Sequence, residues 1–348
     1  MRYFHEERPD IAVLGAGSLL EVAVERTRMP MPVGRVESMW LGPMSFEEFL
    51  GACGAADELD TIRRFRLGAR IDAPMHERLS RRQREFLFVG GMPEAVARFA
   101  DNPESAAVVA IQQQLLDGYR DDFAKYATGA ITLLLDLTLT QAPTLIGRKL
   151  KWVSISREHQ SRETKRAAWL LQKAGVIHLV AHTDANGVPL LAEADLDVVK
   201  PLFLDVGLAG RLLGSVRRSV AQAGPERLVN EGPLAEQFIG QHLVAMGPAG
   251  EGGRPQAFYW LREGRSDNAE VDFVIALSHT VVPVEVKAGA AGTMKSLLEF
   301  VRVKHSRRAV RFDLNPPSRQ TVNANGVRFE LLSLPLYLVG QLQRLLNE

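Results

Sequence analysis

The 348-residue sequence holds a single cysteine, Cys53, which excludes an intramolecular disulfide and a cysteine-built zinc site and fits a reducing compartment. Nor does it contain a Gly-Lys dipeptide. The phosphate-cradling loop G-x-x-x-x-G-K-[ST] is therefore missing, and with it the lysine and amides that hold the β- and γ-phosphates of ATP. ATP is not an expected ligand of this chain. No run of about 18 apolar residues occurs, and the start, MRYFHEERPD, lacks the apolar core of a signal peptide. A soluble, cytoplasmic chain with no membrane partner is expected. Charge of one sign is lacking too: 42 Lys and Arg stand against 41 Asp and Glu, a formal net charge of +1. Any nucleic-acid contact must therefore come from a local patch. The remainder, 46% hydrophobic and 24% charged, is ordinary globular material long enough for about two to three domains.

The most informative stretch is NAEVDFVIALSHTVVPVEVK, Asn268 to Lys287. It reads as two strands, AEVDFVIA and TVVPVEVK, rich in Val, Ile and Phe and separated by Ser278-His279. With side chains alternating, Glu270 and Asp272 share one face of the first strand, and Glu285 and Lys287 share one face of the second. Charges on apolar strands are costly unless paired or bound to a metal, so Asp272, Glu285 and Lys287 mark a candidate site. A solvated, charge-paired sheet edge would carry the same residues.

The flanking elements extend the pattern. A helix is expected over Pro233 to Met246 and a strand over Gln256 to Arg262; after the pair come a helix over Thr293 to Val303 and a strand over Arg308 to Phe312. This α-β-β-β-α-β order, with Asp on the middle strand and Glu-x-Lys on the next, resembles the PD-(D/E)XK nuclease superfamily. The resemblance implies that Asp272 and Glu285 bind Mg²⁺ with the Val286 carbonyl, that Lys287 orients or helps deprotonate a water, and that Glu236 is the helix glutamate many members add. Glu236, Asp272, Glu285 and Lys287 are then the catalytic set. No Pro-Asp precedes the strand, a departure shared by many members. The chemistry suits the residues, because Mg²⁺ prefers oxygen ligands and keeps several waters, so two carboxylates and a carbonyl suffice.

Nearer the start, Asp10 to Gly17 reads as a strand followed by a helix from Ser18. Gly15-x-Gly17 looks like the opening of a dinucleotide fingerprint, but the third glycine falls at Leu20, which excludes the motif. YFHEERPDIAVLGAGSLLEVA, Pro32-Val33-Gly34-Arg35, Leu41-Gly42-Pro43-Met44-Ser45-Phe46, Gly90-Gly91-Met92-Pro93-Glu94, Asp205-x-Gly207-Leu208 and Glu270-Val271-Asp272-Phe273 together resemble a family of prokaryotic AAA-type ATPases. In that family the C-terminal part is a domain of unknown function with nuclease-like residues. The resemblance covers essentially the whole chain, which lacks the family's N-terminal P-loop part. It implies that Ser18 senses the γ-phosphate and that Arg35 lies close to nucleotide; a helix cap and a surface ion pair account for the two equally well. It also implies that the helices over residues 54 to 130 form the ATPase lid. Tyr119, Asp122 and Lys125 fit that pattern, as does a solvated helix face.

Between Ala130 and Ser215 helices are expected over Ile131 to Gln141 and Ser161 to Lys173, then a hairpin in which VIHLVAHT and VPLLAEA flank an Asn186-Gly187 turn. Helix, helix and wing resemble a winged helix-turn-helix. Eight Lys or Arg between Arg148 and Lys173 face two acids, Glu158 and Glu163. Arg157, Arg162, Lys165 and Arg166 are the candidate phosphate contacts, although a packed and solvated helix would carry the same charges. Asp205-x-Gly207-Leu208 is expected to lead into a linker that ends at Pro233.

The expected fold is an α/β multidomain chain: residues 1–130, the rear half of an AAA-type ATPase core with its helical lid; residues 131–220, a winged helix; residues 221–348, a PD-(D/E)XK nuclease-like domain. The expected function is a DNA-associated protein with a Mg²⁺-dependent phosphodiesterase site, acting alone, as a homo-oligomer or with a P-loop-bearing partner. The alternatives are a non-catalytic DNA- or protein-binding module and the C-terminal part of an ATP-driven remodeller.

Overall fold

Ser45 opens the main helical layer with a reciprocal cap: its hydroxyl accepts the Glu48 amide while the Glu48 carboxylate accepts the Ser45 amide. In the computed structural model, residues 2–8, 10–15, 35, 37, 39–103, 105–126, 129–214, 232–247, 256–264, 268–287, 294–324 and 326–348 are described. Their elements in chain order are α1 (Arg2–Glu7), α2 (Phe46–Ala52), α3 (Ala56–Arg64), α4 (Ala73–Val89), α5 (Pro93–Asp101), α6 (Ser105–Tyr126), α7 (Ala130–Gln141), α8 (Ser161–Lys173), β1 (Ile177–Thr183), β2 (Ala194–Phe203), α9 (Val206–Leu212) and α10 (Gly232–Ala245). There follow β3 (Phe258–Arg262), β4 (Ala269–Leu277), β5 (Thr280–Val286), α11 (Lys295–Lys304), β6 (Arg308–Asp313), β7 (Ser318–Ala324), β8 (Val327–Pro335) and α12 (Leu342–Leu346).

All eight strands join one mixed sheet in the order β2-β1-β3-β4-β5-β6-β8-β7. The β1–β3, β5–β6 and β6–β8 pairs are parallel and the others antiparallel. The expected hairpin is thus not a free wing, because β1 lies between β2 and β3 and ties residues 177–203 to the C-terminal strands. No helix of the described residues is long and apolar enough to cross a membrane.

Four expectations change. Residues 10–15 form no strand, and Ile11, Val13 and Leu14 are exposed; an extended segment becomes a strand only where a neighbouring edge takes its backbone bonds, and no described strand pairs with it. Val188 to Glu193 is not the second hairpin strand. Pro189 has no amide to donate, Leu190–Glu193 is a 3₁₀ turn, and Glu193 accepts the Asn186 amide, so β2 starts only at Ala194. The left-handed residue of the connection is Ala185 (φ 56°) rather than Asn186 or Gly187. Residues 204–208 lead not into a linker but into α9, capped by the Asp205 carboxylate, which accepts the Leu208 amide. Finally, the helix that the sequence predicts over Leu336 to Leu346 begins as a 3₁₀ turn, Leu336–Gln341, before α12.

The short motifs near the start and middle of the chain meet at one junction. The Met44 amide donates to the Gly91 carbonyl (2.7 Å), and the Gly91 amide donates to buried Asp205 (2.6 Å). A Cβ on Gly91 would lie 2.1 Å from the Met44 oxygen, and one on Gly207 would lie 2.5 Å from the Val89 oxygen. Backbone therefore touches backbone where Leu41 to Phe46, Gly90 to Glu94 and Asp205 to Leu208 cross. Only glycine permits that approach. Tyr119, too, is structural: burial raises its phenol to about 12, with Asp205 and Asp122 adding to the effect.

The core is continuous from Phe46 to Leu346. Its centre is aromatic, with Phe86 edge-on to Phe46, Phe49 and Phe238 at 5.8, 5.3 and 5.6 Å between centroids. His242 binds this layer to α10: the Phe46 amide donates to Nε2 (2.9 Å), so Nδ1 carries the proton and donates to the Phe238 carbonyl (2.7 Å). Burial lowers its pKa to about 4. Between that value and about 6.5, the unfolded chain binds a proton that the folded chain refuses, so this group makes stability rise with pH across the window. Urea denaturation at pH 5 should show a loss on the order of 2 kcal/mol relative to pH 7 from this group. His242→Gln, which keeps a donor and an acceptor without titrating, should flatten the slope; an unchanged slope would remove His242 as its source.

Candidate functional site

Antiparallel pairing runs from Leu277↔Thr280 back to Phe273↔Val284. One residue further along, a side chain takes over from the backbone ladder. The Val286 amide donates to Asp272 Oδ2 at 2.7 Å. On its other flank β4 carries one extra residue against β3, since Trp260 pairs Val271 but Phe258 pairs Val274. Such a bulge interrupts alternation and re-aims a side chain, so Asp272 owes its position to this irregularity rather than to strand parity alone.

Glu285 and Lys287 follow on β5 and form an ion pair. Glu285 is 4% exposed, and its Oε2 is buried without a hydrogen-bond partner. From α10, Glu236 points toward the same cluster. Its Oε1 meets Lys200 Nζ at 3.0 Å, and Lys200 also meets Glu270 Oε1 at 2.7 Å. Lys200 starts on β2, separated from β4 by the two strands β1 and β3. It reaches Glu270 by lying over the Tyr259 ring of β3, 5.0 Å from its centroid. The turn before α8 closes over the other side of Glu236. A Cβ on Gly147, whose φ is +77°, would sit 2.6 Å from Glu236 Oε2.

Electrostatics bind these groups into one system. Burial pushes Glu236 up to about 7 against the pull of Lys200, with Asp272 adding to the rise. Burial and then Asp272 push Glu285 up to about 7, and burial raises Asp272 as well. Burial alone would lower the Lys200 ammonium, yet Glu236, Asp272 and Glu270 outweigh it and hold the group above its usual range. Against the effect of burial, Glu285 likewise holds the Lys287 ammonium above its usual range. With every group ionised, four carboxylates face two ammonium groups.

A divalent cation suits this charge and the unpartnered Glu285 oxygen. Among the described residues no group of three or more His, Cys, Asp or Glu side chains is arranged to hold a metal. Asp272 and Glu285 would therefore hold one as a pair, with backbone and water completing an oxygen shell, as suits Mg²⁺.

The structure thus brings together Glu236, Asp272, Glu285 and Lys287. Arg35 lies apart from them, paired with Glu6 at 2.6 Å, and Ser18 is outside the described residues. On α8, which buries Thr164, Ala167, Ala168 and Leu171, Arg162 and Arg166 are exposed, as is Arg157 before it. Lys165 is instead taken by Asp197 of β2. Sequence reasoning missed Lys200 and Gly147. Lys200 had a signal, being the one charge in the run Val198-Val199-Lys200-Pro201-Leu202-Phe203.

Fold and site together define a mixed α/β protein with a buried carboxylate–lysine cluster at the notch between two central strands. Two family models match parts of it: a domain of unknown function (DUF8612) over residues 80–219 and a domain of unknown function (DUF4143) over residues 231–335. No curated protein and no solved structure matches the chain. The cluster draws on both segments, Lys200 and Gly147 from the first and the remaining residues from the second.

Proposed function

We propose that this is a DNA-associated protein of the AAA-type ATPase kind, whose C-terminal PD-(D/E)XK-like site hydrolyses phosphodiesters with Mg²⁺ and whose chain does not itself turn over ATP. The observation that carries the reading is the gathering of Asp272, Glu285 and Lys287 around an unpartnered buried carboxylate oxygen, with Glu236 arriving from a helix. Bound by Asp272 and Glu285, Mg²⁺ would supply Lewis-acid stabilisation of charge on the phosphoryl oxygens. The chain's own residues have separate tasks. The Val286 amide fixes Asp272, Lys287 orients the attacking water through its charge, and Gly147 and Tyr259 wall Glu236 and Lys200 from bulk solvent. Exposed Arg162 and Arg166, on a helix that leads directly into the sheet, and Arg157 just before that helix supply the phosphate contacts. ATP turnover, if the assembly needs it, belongs to a P-loop-bearing partner.

The test is twofold. Purified chain with Mn²⁺ or Mg²⁺ should nick linear single- or double-stranded DNA, and Lys287→Ala should lose at least about a hundredfold in rate, the scale of removing one positioned catalytic group. Replacing Arg157, Arg162 and Arg166 by Ala should weaken duplex binding and flatten its dependence on salt by about 0.9 in log–log slope per lost contact. An unchanged slope would return the arginines to a merely solvated face. The second reading, a non-catalytic DNA- or protein-binding module, is favoured by the placement of Lys200, which neutralises one half of the acidic cluster. Binding with the predicted salt slope and no cleavage would select it.

A further inference from the structure

The cluster divides into two halves. In one, Lys200 Nζ sits between Glu236 Oε1 at 3.0 Å and Glu270 Oε1 at 2.7 Å, on a side chain that is 2% exposed. In the other, Asp272 is fixed by the Val286 amide, and Glu285 keeps one oxygen with no partner. An ammonium held by two carboxylates fills the same place as a cation bridging them. Charge gives the same answer once a cation has drawn all four carboxylates into their ionised form: Glu236, Glu270, Asp272 and Glu285 against Lys200 and Lys287 then leave an excess of two negative charges, which one divalent ion cancels and two would overshoot. Buried clusters are stable only when their charge is compensated.

We propose that Lys200 is a built-in substitute for a second metal ion, so that the site takes one divalent cation at Asp272 and Glu285 and has no room for another at Glu236 and Glu270. This rests on the metal-site reading above. Lys200 is a positioning residue, fixing Glu236 and Glu270. Its origin outside the segment that carries the other charged residues makes the metal count a property of the whole chain. The stem is held in place by the Tyr259 ring and by β1, which lies between β2 and β3. Release of Lys200 would leave Glu236 and Glu270 facing each other uncompensated, as a second seat for a cation.

Mn²⁺ alone is the probe, titrated into the full chain by calorimetry, with electron paramagnetic resonance counting bound ions and detecting coupled pairs. Wild type should bind one Mn²⁺ with no spin-coupled signal. Lys200→Met, checked for folding by circular dichroism, should bind a second ion and show coupling between the two. Lys200→Arg, which keeps the cation, should stay at one and covers the case in which the methionine variant does not fold. Two coupled ions in wild type, or one ion in a folded Lys200→Met, would overturn the substitution while leaving the metal site standing. No bound Mn²⁺ in wild type would overturn the metal site itself, and this inference with it.

Discussion

Asp272→Asn should abolish the rise in melting temperature that Mg²⁺ or Mn²⁺ is expected to give the wild-type protein. At a metal concentration one hundred times the dissociation constant, binding to the folded state alone stabilises by about 2.7 kcal/mol, or about 4 °C for a chain of this size. The loss follows from the two oxygens of Asp272. One, Oδ2, already accepts the Val286 amide, so an asparagine must turn its own oxygen to that amide and present its NH₂ to the cation. A ligand is thereby replaced by a donor that repels the ion. The fold should survive, because the substitution removes one of several like charges that burial already disfavours. Without metal the variant should melt at or above the wild-type temperature. Differential scanning fluorimetry with and without Mn²⁺ reads both halves, and an undiminished shift in the variant would place the metal elsewhere.

Gly207→Ala should be among the most damaging single methyl groups that the described residues offer. Its Cβ would fall 2.5 Å from the Val89 oxygen, 2.6 Å from the Val89 carbonyl carbon and 2.7 Å from the Gly90 nitrogen. All three are backbone atoms at the end of α4, next to a buried Asp205 that already ties Gly91 to α9, so relief requires moving whole elements. Helix propensity favours alanine by about 1 kcal/mol, while overpacking costs about 1–3 kcal/mol even where side chains can yield. A net loss of at least about 2 kcal/mol is expected from the immobile contacts, seen as a lower urea midpoint. Gly118→Ala is the matched control. It lies within α6 with nothing within 4 Å of its Cβ, and it should stabilise by up to about 1 kcal/mol. Equal midpoints for Gly207→Ala and wild type would show that the junction is looser than its contacts indicate.

The C-terminal strands were legible because carboxylates in Val- and Phe-rich runs stand out against their neighbours. Asp272, Glu285 and Lys287 could be placed from strand alternation, and the segment over Ser161 to Lys173 matches α8. Alternation was still an incomplete guide, since the bulge in β4 that aims Asp272 is set by its pairing with β3. Lys200 was hidden for a different reason. Of its partners, Glu236 is on a helix and Glu270 lies beyond two intervening strands of the sheet, and strand order is not written in local periodicity. β7, reading Ser318-Arg319-Gln320-Thr321-Val322, escaped notice because an edge strand with exposed side chains lacks the apolar signature of a buried one. The glycine motifs were visible as motifs, but their reason was not. Gly90 is accounted for by the Asp205 side chain, Gly91 by the Met44 backbone and Gly207 by the Val89 backbone, all distant in sequence, and Asp205-x-Gly207-Leu208 was mistaken for a lead into a linker for want of that last contact.

The β1–β3 pairing makes the two family segments parts of one sheet. A polypeptide that began at residue 232 would keep Glu236, Glu270, Asp272 and Glu285 but surrender Lys200, and it would bare the edge of β3 that Ala181 and His182 now occupy. An uncovered strand edge beside uncompensated acid is the kind of surface that draws foreign strands into register. The join that completes the sheet thus also supplies the cation of the site.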